Sequence, residues 1–353
     1  MLMLLIATAI LCALIILVNK QQNEKTENQN LIHAIHLFLA TMSIIIGVLV
    51  WLSTIAPPTP ETPTVSSETG ITFLLTSVVL GGFSLWFAFS ERVRLVFQNY
   101  VVRSNGKMRR YSAYSPVHTT AVLLAIFASL NVIGNFILAG GTSGLAESFN
   151  ETGIAASDLL LNMVIYVAMA LAGVGLFVRR DIARTLRRLG FYLPQKETML
   201  NWLGTASKHI IIGVLVGFGL FWVQAGLAIV WQLTASPESL AEQTAATEAI
   251  FAALGGSLWL GFLVALTAGM GEELLFRGAL QPVFGNVLTS LFFVVLHSQY
   301  LFTPATLIIL LVSLIFGLLR DRYTTGTAMV AHFIYNFTPF ILLHFATQFG
   351  IPI

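Results

Sequence analysis

The feature that most constrains this chain is a series of apolar runs, each long enough to cross a bilayer as a helix, which takes about 20 mostly apolar residues. Only 10% of the 353 residues are charged, against roughly a quarter in soluble domains. The sequence therefore predicts an all-α fold, a polytopic membrane helical bundle of about ten transmembrane helices. The ten runs, of which the eighth and ninth are short, lie near 2–19, 31–55, 71–90, 119–140, 158–178, 209–234, 251–276, 287–302, 304–320 and 326–348.

The polar connections between these runs alternate in charge. All 18 Lys and Arg residues lie in the segments 20–30, 91–118, 179–208, 277–286 and 320–325. The connections 56–70, 141–157 and 235–250 contain none and carry glutamates instead. By the positive-inside rule the basic segments are cytoplasmic and both termini lie outside. We expect an integral protein of a prokaryotic plasma (inner) membrane.

The basic segments do not predict nucleic-acid binding, because topology and contact with anionic lipid account for them. The cluster of arginines that begins at Arg179 predicts a short helix in the membrane interface. The polar stretch 179–208 divides the chain into an amino-terminal five-span block, 1–178, of unassigned role and a carboxy-terminal block, 179–353. Cys12 is the single cysteine, which excludes an internal disulfide and a cysteine-based zinc cluster.

Two adjacent acids and an arginine end the seventh apolar run, in the stretch 271–278. Ionised side chains inside a membrane are costly and usually mark function. On a helix Glu273 and Arg277 are four residues apart and share a face, so they can form an ion pair. Glu272 points about 100° away from that pair and stays available for chemistry.

Two further polar signals follow in the same block. His297 lies inside an apolar span, and His332 and Asn336 lie on one helix face at i,i+4. A carboxylate, two imidazoles and a carboxamide suffice for hydrolysis by water. In that scheme Glu272 takes a proton from water, a histidine orients the water, and His or Asn donates to the developing oxyanion.

Each signal also has a structural explanation. His297 can bond a helix carbonyl, and the Asn336 amide can join two helices. Glu273 and Arg277 can be a structural ion pair, and Phe293, four residues before His297, is explained by packing. Two carboxylates, an arginine, two histidines and an asparagine within 65 residues of apolar chain nevertheless favour one shared site.

The ordered motifs Glu272-Glu273-x-x-x-Arg277, Phe293-x-x-x-His297 and His332-x-x-x-Asn336 resemble those of the CAAX prenyl protease type II family. This family, also called CPBP or Abi, includes the Ras-converting enzyme and bacteriocin-processing or immunity proteins. The resemblance extends over about residues 180–345, and the first five spans resemble no family that we can name.

The resemblance implies an all-helical intramembrane endopeptidase with defined roles for its motif residues. Glu272 is the expected general base and acts with His297 on water, while His332 and Asn336 hold the scissile carbonyl oxygen. Glu273 and Arg277 support the site. We expect no cofactor; the alternative is a zinc ion held by Glu272, His297 and His332, a two-histidine, one-carboxylate set.

Peptide-bond hydrolysis near the cytoplasmic membrane face is the leading functional hypothesis. The expected partners are membrane lipids and a peptide or protein substrate, for which a lipidated or membrane-bound form is one option. A non-catalytic membrane partner, such as a bacteriocin-immunity or scaffold protein that uses the same cavity for binding, is the alternative. A small-solute transporter is disfavoured, because the two five-span halves do not repeat polar residues at corresponding places.

Overall fold

The chain forms a bundle of helices in the computed structural model. The structure describes residues 2–23, 28–55, 65–101, 111–141, 153–191, 198–237, 257–297 and 304–349, with a few isolated positions between these ranges. Within them the only β-type pairing is a single bridge between Leu176 and Arg180. The predicted all-α class is confirmed.

In the described residues, thirteen α-helical segments are numbered in chain order. They are α1 (Leu2–Asn23), α2 (Gln29–Ile55), α3 (Ser67–Phe89), α4 (Glu91–Val96), α5 (Pro116–Ala139), α6 (Ala156–Val174), α7 (Ile182–Arg188), α8 (Met199–Thr234), α9 (Leu258–Glu273), α10 (Gln281–Phe284), α11 (Asn286–Val295), α12 (Pro304–Arg322) and α13 (Thr325–Gln348). Two π-helical segments, Phe97–Val101 and Leu274–Leu280, follow α4 and α9.

Eight helical stretches in the described ranges are long and apolar enough to cross a membrane. They are α1, α2, α3, α5, α6, α8, the continuous stretch 258–284 and α13. The two short spans of the prediction correspond to α11 and α12. With 10 residues, α11 rises only about 15 Å and cannot cross a bilayer by itself. The polytopic membrane architecture is confirmed, with α11 as a half-length element.

The seventh span differs from its predicted bounds. The sequence predicted a span over 251–276 and a polar connection from 277 onward, which would place Glu272 about 7 Å from the end of its helix. Instead, helical structure continues from α9 through the π-helical segment and α10 to Phe284. Arg277 does not end the helix because its charge is fully buried and paired inside the bundle. Glu272 therefore lies on the order of 15 Å from the helix end.

Close packing on both sides of α9 holds it at the centre of the carboxy-terminal half. At Gly269 a Cβ atom would lie 3.0 Å from the Met329 carbonyl oxygen of α13. At Gly271 a Cβ atom would lie 3.1 Å from the Cα atom of Met163 in α6. Glycines on α9 thus let two neighbouring backbones approach the helix that carries Glu272 and Glu273.

The remaining helices surround this centre. In the amino-terminal half, α2 packs on α3 and α5, while α1 packs on α5 and α6. On the other side α8 packs along α13, where the Tyr335 hydroxyl donates to the Gln224 amide oxygen. The division of the chain between residues 178 and 179 stays a prediction. Helix α6, which precedes this boundary, packs on α9, which follows it.

The short contact at Gly271 gives a prediction about folding. In Gly271→Leu the new side chain must displace the α6 backbone at Met163, so we expect a loss of about 1–3 kcal/mol of stability. Gly219→Leu is the matched control, because no atom lies within 4 Å of a Cβ at Gly219. Thermal unfolding of the purified proteins in detergent makes the comparison; equal midpoints for the two variants would contradict the proposed helix contact.

Candidate active site

The predicted site residues lie around an irregular stretch of helix. The regular helix α9 ends at Glu273, and Leu274–Leu280 then forms a π-helix. Single π-helical turns are rare and occur often at functional sites. The stretch begins directly after the two acids and contains Arg277, so the arginine projects from the π-helical part while both acids project from regular α-helix.

Glu273 is the most enclosed acid of the site. Its side chain has no solvent exposure. One carboxylate oxygen, Oε2, accepts from Arg277 Nε at 3.1 Å, and the other, Oε1, is 2.9 Å from His332 Nδ1. The ion pair expected from the i,i+4 spacing is present, and the same carboxylate also holds a histidine of α13.

Arg277 is also fully buried and is bound on several sides. Its guanidinium donates to the Ser313 hydroxyl of α12 at 2.7 Å and to the Ser290 hydroxyl of α11 at 3.5 Å. Its Cζ atom lies 5.5 Å from the centre of the Phe293 ring, within reach of a cation–π contact. One arginine thereby joins the π-helical segment to two neighbouring helices.

His332 has a defined ring orientation. An ionised carboxylate can only accept hydrogen bonds, so Nδ1 of His332 carries the proton that it shares with Glu273 Oε1. Nε2 is then the ring nitrogen that Glu273 does not hold. Phe316 of α12 stacks on the ring with centroids 4.9 Å apart, which fixes its plane.

His297 follows α11 and is held by its own helix. Its Nδ1 atom lies 2.8 Å from the Phe293 carbonyl oxygen, and its ring stacks on the Phe293 ring at 4.4 Å. A carbonyl only accepts, so Nδ1 carries the proton and Nε2 is left as an acceptor. The structural explanation, a histidine satisfied by a helix carbonyl, accounts for one ring nitrogen and leaves Nε2 for chemistry.

Phe293 lies between the two histidines. Its ring contacts His297 as described, and its centroid is 6.2 Å from that of His332. The ring also lies below Arg277. The packing role predicted for Phe293 is what the contacts show, and this packing gathers His297 and His332 on one cluster of rings.

Glu272 differs from Glu273 in having no pairing partner. Its residue is partly buried, and its Oε2 atom is buried without a hydrogen bond to any described group. The Tyr166 ring of α6 packs beside the preceding residue, where its Cδ2 atom would lie 3.3 Å from a Cβ at Gly271. A buried carboxylate oxygen without a donor is costly, and such a group calls for a function.

The structure thus brings some of the predicted residues into contact and leaves others apart. Glu273, Arg277, Phe293, His297 and His332 form one connected group. Glu272 adjoins this group along the chain, but no hydrogen bond joins it to either histidine. Asn336 lies one turn after His332 on α13, and its amide has no hydrogen-bond partner among the described residues.

The metal-bound alternative requires Glu272, His297 and His332 around one ion. In the described part of the chain no group of three or more His, Cys, Asp or Glu side chains is arranged to hold a metal ion. The Nδ1 atom of His297 is bound to the Phe293 carbonyl oxygen, and that of His332 is bound to the Glu273 carboxylate. The metal-free expectation stays a prediction.

One segment of the chain, which contains the candidate site, matches a known protein family. Residues 254–338 match the family model described as type II CAAX prenyl endopeptidase, Rce1-like. The predicted family resemblance is confirmed over these residues. The matched segment contains Glu272, His297, His332 and Asn336 and is shorter than the predicted extent of 180–345. No curated protein and no solved structure was found to match the chain.

Several residues around this site were missed by the sequence reasoning. Ser290, Ser313 and Phe316 lie inside apolar helices, where only their spacing from the motif residues could have indicated them. Tyr166 lies outside the matched segment, on a helix whose neighbours in the fold the sequence does not specify. The bond between Glu273 and His332 joins residues 59 positions apart, a pairing that no local pattern encodes.

The buried ion pair makes a stability prediction. Arg277→Ala leaves the Glu273 carboxylate without its cation, and breaking a buried pair in this way costs about 3–5 kcal/mol. The double variant Glu273→Gln/Arg277→Met removes both charges and should lose less than the single variant. Unfolding midpoints measured in detergent decide this, and a double variant less stable than Arg277→Ala would contradict the assigned pairing.

Proposed function

We propose that this protein is an intramembrane endopeptidase that hydrolyses a peptide bond close to the cytoplasmic membrane face. The family match supports a peptidase in general terms. The observation that carries the specific proposal is the Glu272 carboxylate, one of whose oxygens is buried and has no donor among the described residues, in the same helical bundle as the oriented rings of His297 and His332. A water molecule there would supply the missing hydrogen bond and would be the nucleophile.

Two acceptors are available to activate that water. Glu272 takes a proton from it, and His297 directs its acceptor atom Nε2 to the same water, because Nδ1 is committed to the Phe293 carbonyl. The water oxygen attacks the scissile carbonyl carbon and forms a tetrahedral intermediate. The proton held by Glu272 then passes to the leaving nitrogen as the C–N bond breaks, which yields an amine and a carboxylic acid that keeps the second proton of the water.

The other two residues are assigned to the developing oxyanion. Asn336 can donate from its amide, which has no partner among the described residues. His332, whose Nδ1 is bound to the Glu273 carboxylate, can donate from Nε2 when the ring carries two protons. Preorganised donors of this kind each contribute about 10²–10³ in rate.

The substrate in this proposal is a peptide or protein in or at the membrane. The bond to be cleaved must reach Glu272, His297 and His332, all within the helical bundle. The basic segments would lie on the cytoplasmic side, because they contain every lysine and arginine of the chain. The reaction written above needs no cofactor, since water and side chains supply every atom and proton.

Glu272→Gln is the variant that tests this function. The amide cannot take a proton from water, so we expect cleavage to fall by at least about 10²-fold. Comparison of peptide termini in cells that express wild-type protein or Glu272→Gln identifies the cleaved substrates. A synthetic peptide spanning an identified site then serves to measure rates with the purified protein.

Glu91→Gln is the matched control, since it removes one exposed carboxylate from α4. It should cleave like wild type, and the unfolding midpoint of Glu272→Gln should equal that of the control. A Glu272→Gln protein that cleaves the peptide at the wild-type rate would contradict the proposal. A cellular phenotype that persists in Glu272→Gln and His297→Ala but not after disruption of an external loop would favour the non-catalytic membrane partner.

A further inference from the structure

Pro282 leaves a gap in the hydrogen bonding of the helix that carries the site. The backbone N–H of Gln281 donates to the Phe276 carbonyl, five residues earlier, as in a π-helix. The next bond in that register would run from residue 282 to the Arg277 carbonyl, but a proline has no N–H. In a return to the α-helical register, the Gly278 carbonyl would need the same missing donor. The proline therefore leaves carbonyl groups at 277 and 278 in need of other donors.

Two arginines supply those donors from outside the helix. Arg320 donates from Nε to the Arg277 carbonyl oxygen at 3.1 Å. Arg188 donates from its two terminal nitrogens to the Gly278 carbonyl at 3.0 Å and to the Ala279 carbonyl at 3.2 Å. The planar guanidinium suits this arrangement, because its N–H groups are fixed in one fork.

The two arginines come from different elements that are themselves joined. Arg188 ends α7, and Arg320 lies in the last turn of α12. The residues after Arg188 are bound to the start of α13: Thr325 donates its hydroxyl to the Leu189 carbonyl and its N–H to the Gly190 carbonyl. The bonds therefore tie the π-helical segment to α7, to α12 and, through Thr325, to the helix that carries His332.

The general role of basic residues at a membrane face does not explain these contacts. Arg187 and Arg322 are exposed on the same two elements, as expected for residues that set topology or meet lipid headgroups. Arg188 and Arg320 are partly buried, and their guanidinium groups donate to main-chain carbonyls of the segment. Arg320 also donates from Nη1 to the Asp321 carboxylate at 3.3 Å. Each of these two arginines thus has an exposed neighbour of equal charge on the same element.

We propose that Arg188 and Arg320 are positioning residues that replace the donor missing at Pro282 and so hold the π-helical segment in its catalytic geometry. The two arginines touch neither Glu272 nor Glu273. They act through the backbone of residues 277–279, whose carbonyl groups they bind. This inference rests on the proposed peptidase function only where it concerns the reaction. Arg188 lies outside the segment that matches the family model, so a residue of the preceding part of the chain would support the site.

The test measures kcat and KM of the full-length protein on the synthetic peptide described above. Arg188→Ala and Arg320→Ala should each lower kcat by about tenfold to a hundredfold with little change in KM, as expected when catalytic groups shift by about 1 Å. The controls are Arg187→Ala and Arg322→Ala, which remove the same charge from the same elements and should leave kcat within about twofold of wild type.

Pro282→Ala distinguishes a specific loss of these hydrogen bonds from a general loss of folding. The alanine restores an N–H that can donate to the Arg277 or Gly278 carbonyl. The double variant Arg188→Ala/Pro282→Ala should therefore recover kcat relative to Arg188→Ala, with Pro282→Ala alone as the reference. Arg188→Lys keeps one donor and should be intermediate; it takes the place of Arg188→Ala should the alanine variant not be recovered as folded protein.

Hydrogen exchange measures the same contacts without any substrate. Amides of residues 274–281 should exchange at least about tenfold faster in Arg188→Ala than in Arg187→Ala, because the bonds to the segment are lost. Equal exchange in these two variants, or equal kcat, would overturn the inference, as would a double variant no more active than Arg188→Ala. If Glu272→Gln proves fully active, the proposed function fails, and the exchange experiment still decides the role of the two arginines.

Discussion

Arg277 and Glu273 place two full charges where neither side chain reaches solvent, and much of the surrounding structure follows from that. A buried charge is tolerated only when it is paired and its remaining donors and acceptors are satisfied. Here Arg277 uses hydroxyl groups from α11 and α12, and Glu273 uses His332 from α13. Satisfying one ion pair thus fixes the relative positions of three neighbouring helices, and it fixes the orientation of one histidine proposed to act in catalysis.

The two adjacent glutamates serve different purposes because their surroundings differ. Glu273 has two charged or hydrogen-bonding partners and is committed to structure and to the orientation of His332. Glu272 has a buried oxygen without a partner among the described residues, which is where the proposed water molecule would bind. The π-helical segment that follows departs from regular α-helical spacing. Its carbonyl groups at Arg277 and Gly278 accept hydrogen bonds from Arg320 and Arg188.

The sequence was sufficient for the features that depend on local periodicity. Apolar runs and the near absence of charge predicted the membrane helices, and the four-residue spacing of Glu273 and Arg277 predicted their ion pair. The continuation of the seventh span to Phe284 was not predicted, because Arg277 by itself is a signal for the end of a span. Its burial depends on Ser290, Ser313 and Phe293, which come from later helices. The bond from Glu273 to His332 and the contacts at Pro282 depend likewise on how distant helices pack.

The central claim is that Glu272 and His297 act on one water molecule, and a double-variant cycle on the cleavage rate tests it most directly. The rates of wild type, Glu272→Gln, His297→Ala and the double variant are measured on the same peptide. Residues that act as a unit show strongly non-additive effects, so the account predicts that the double variant is about as slow as the slower single variant. Losses that multiply across the two substitutions would show independent roles and would contradict the claim.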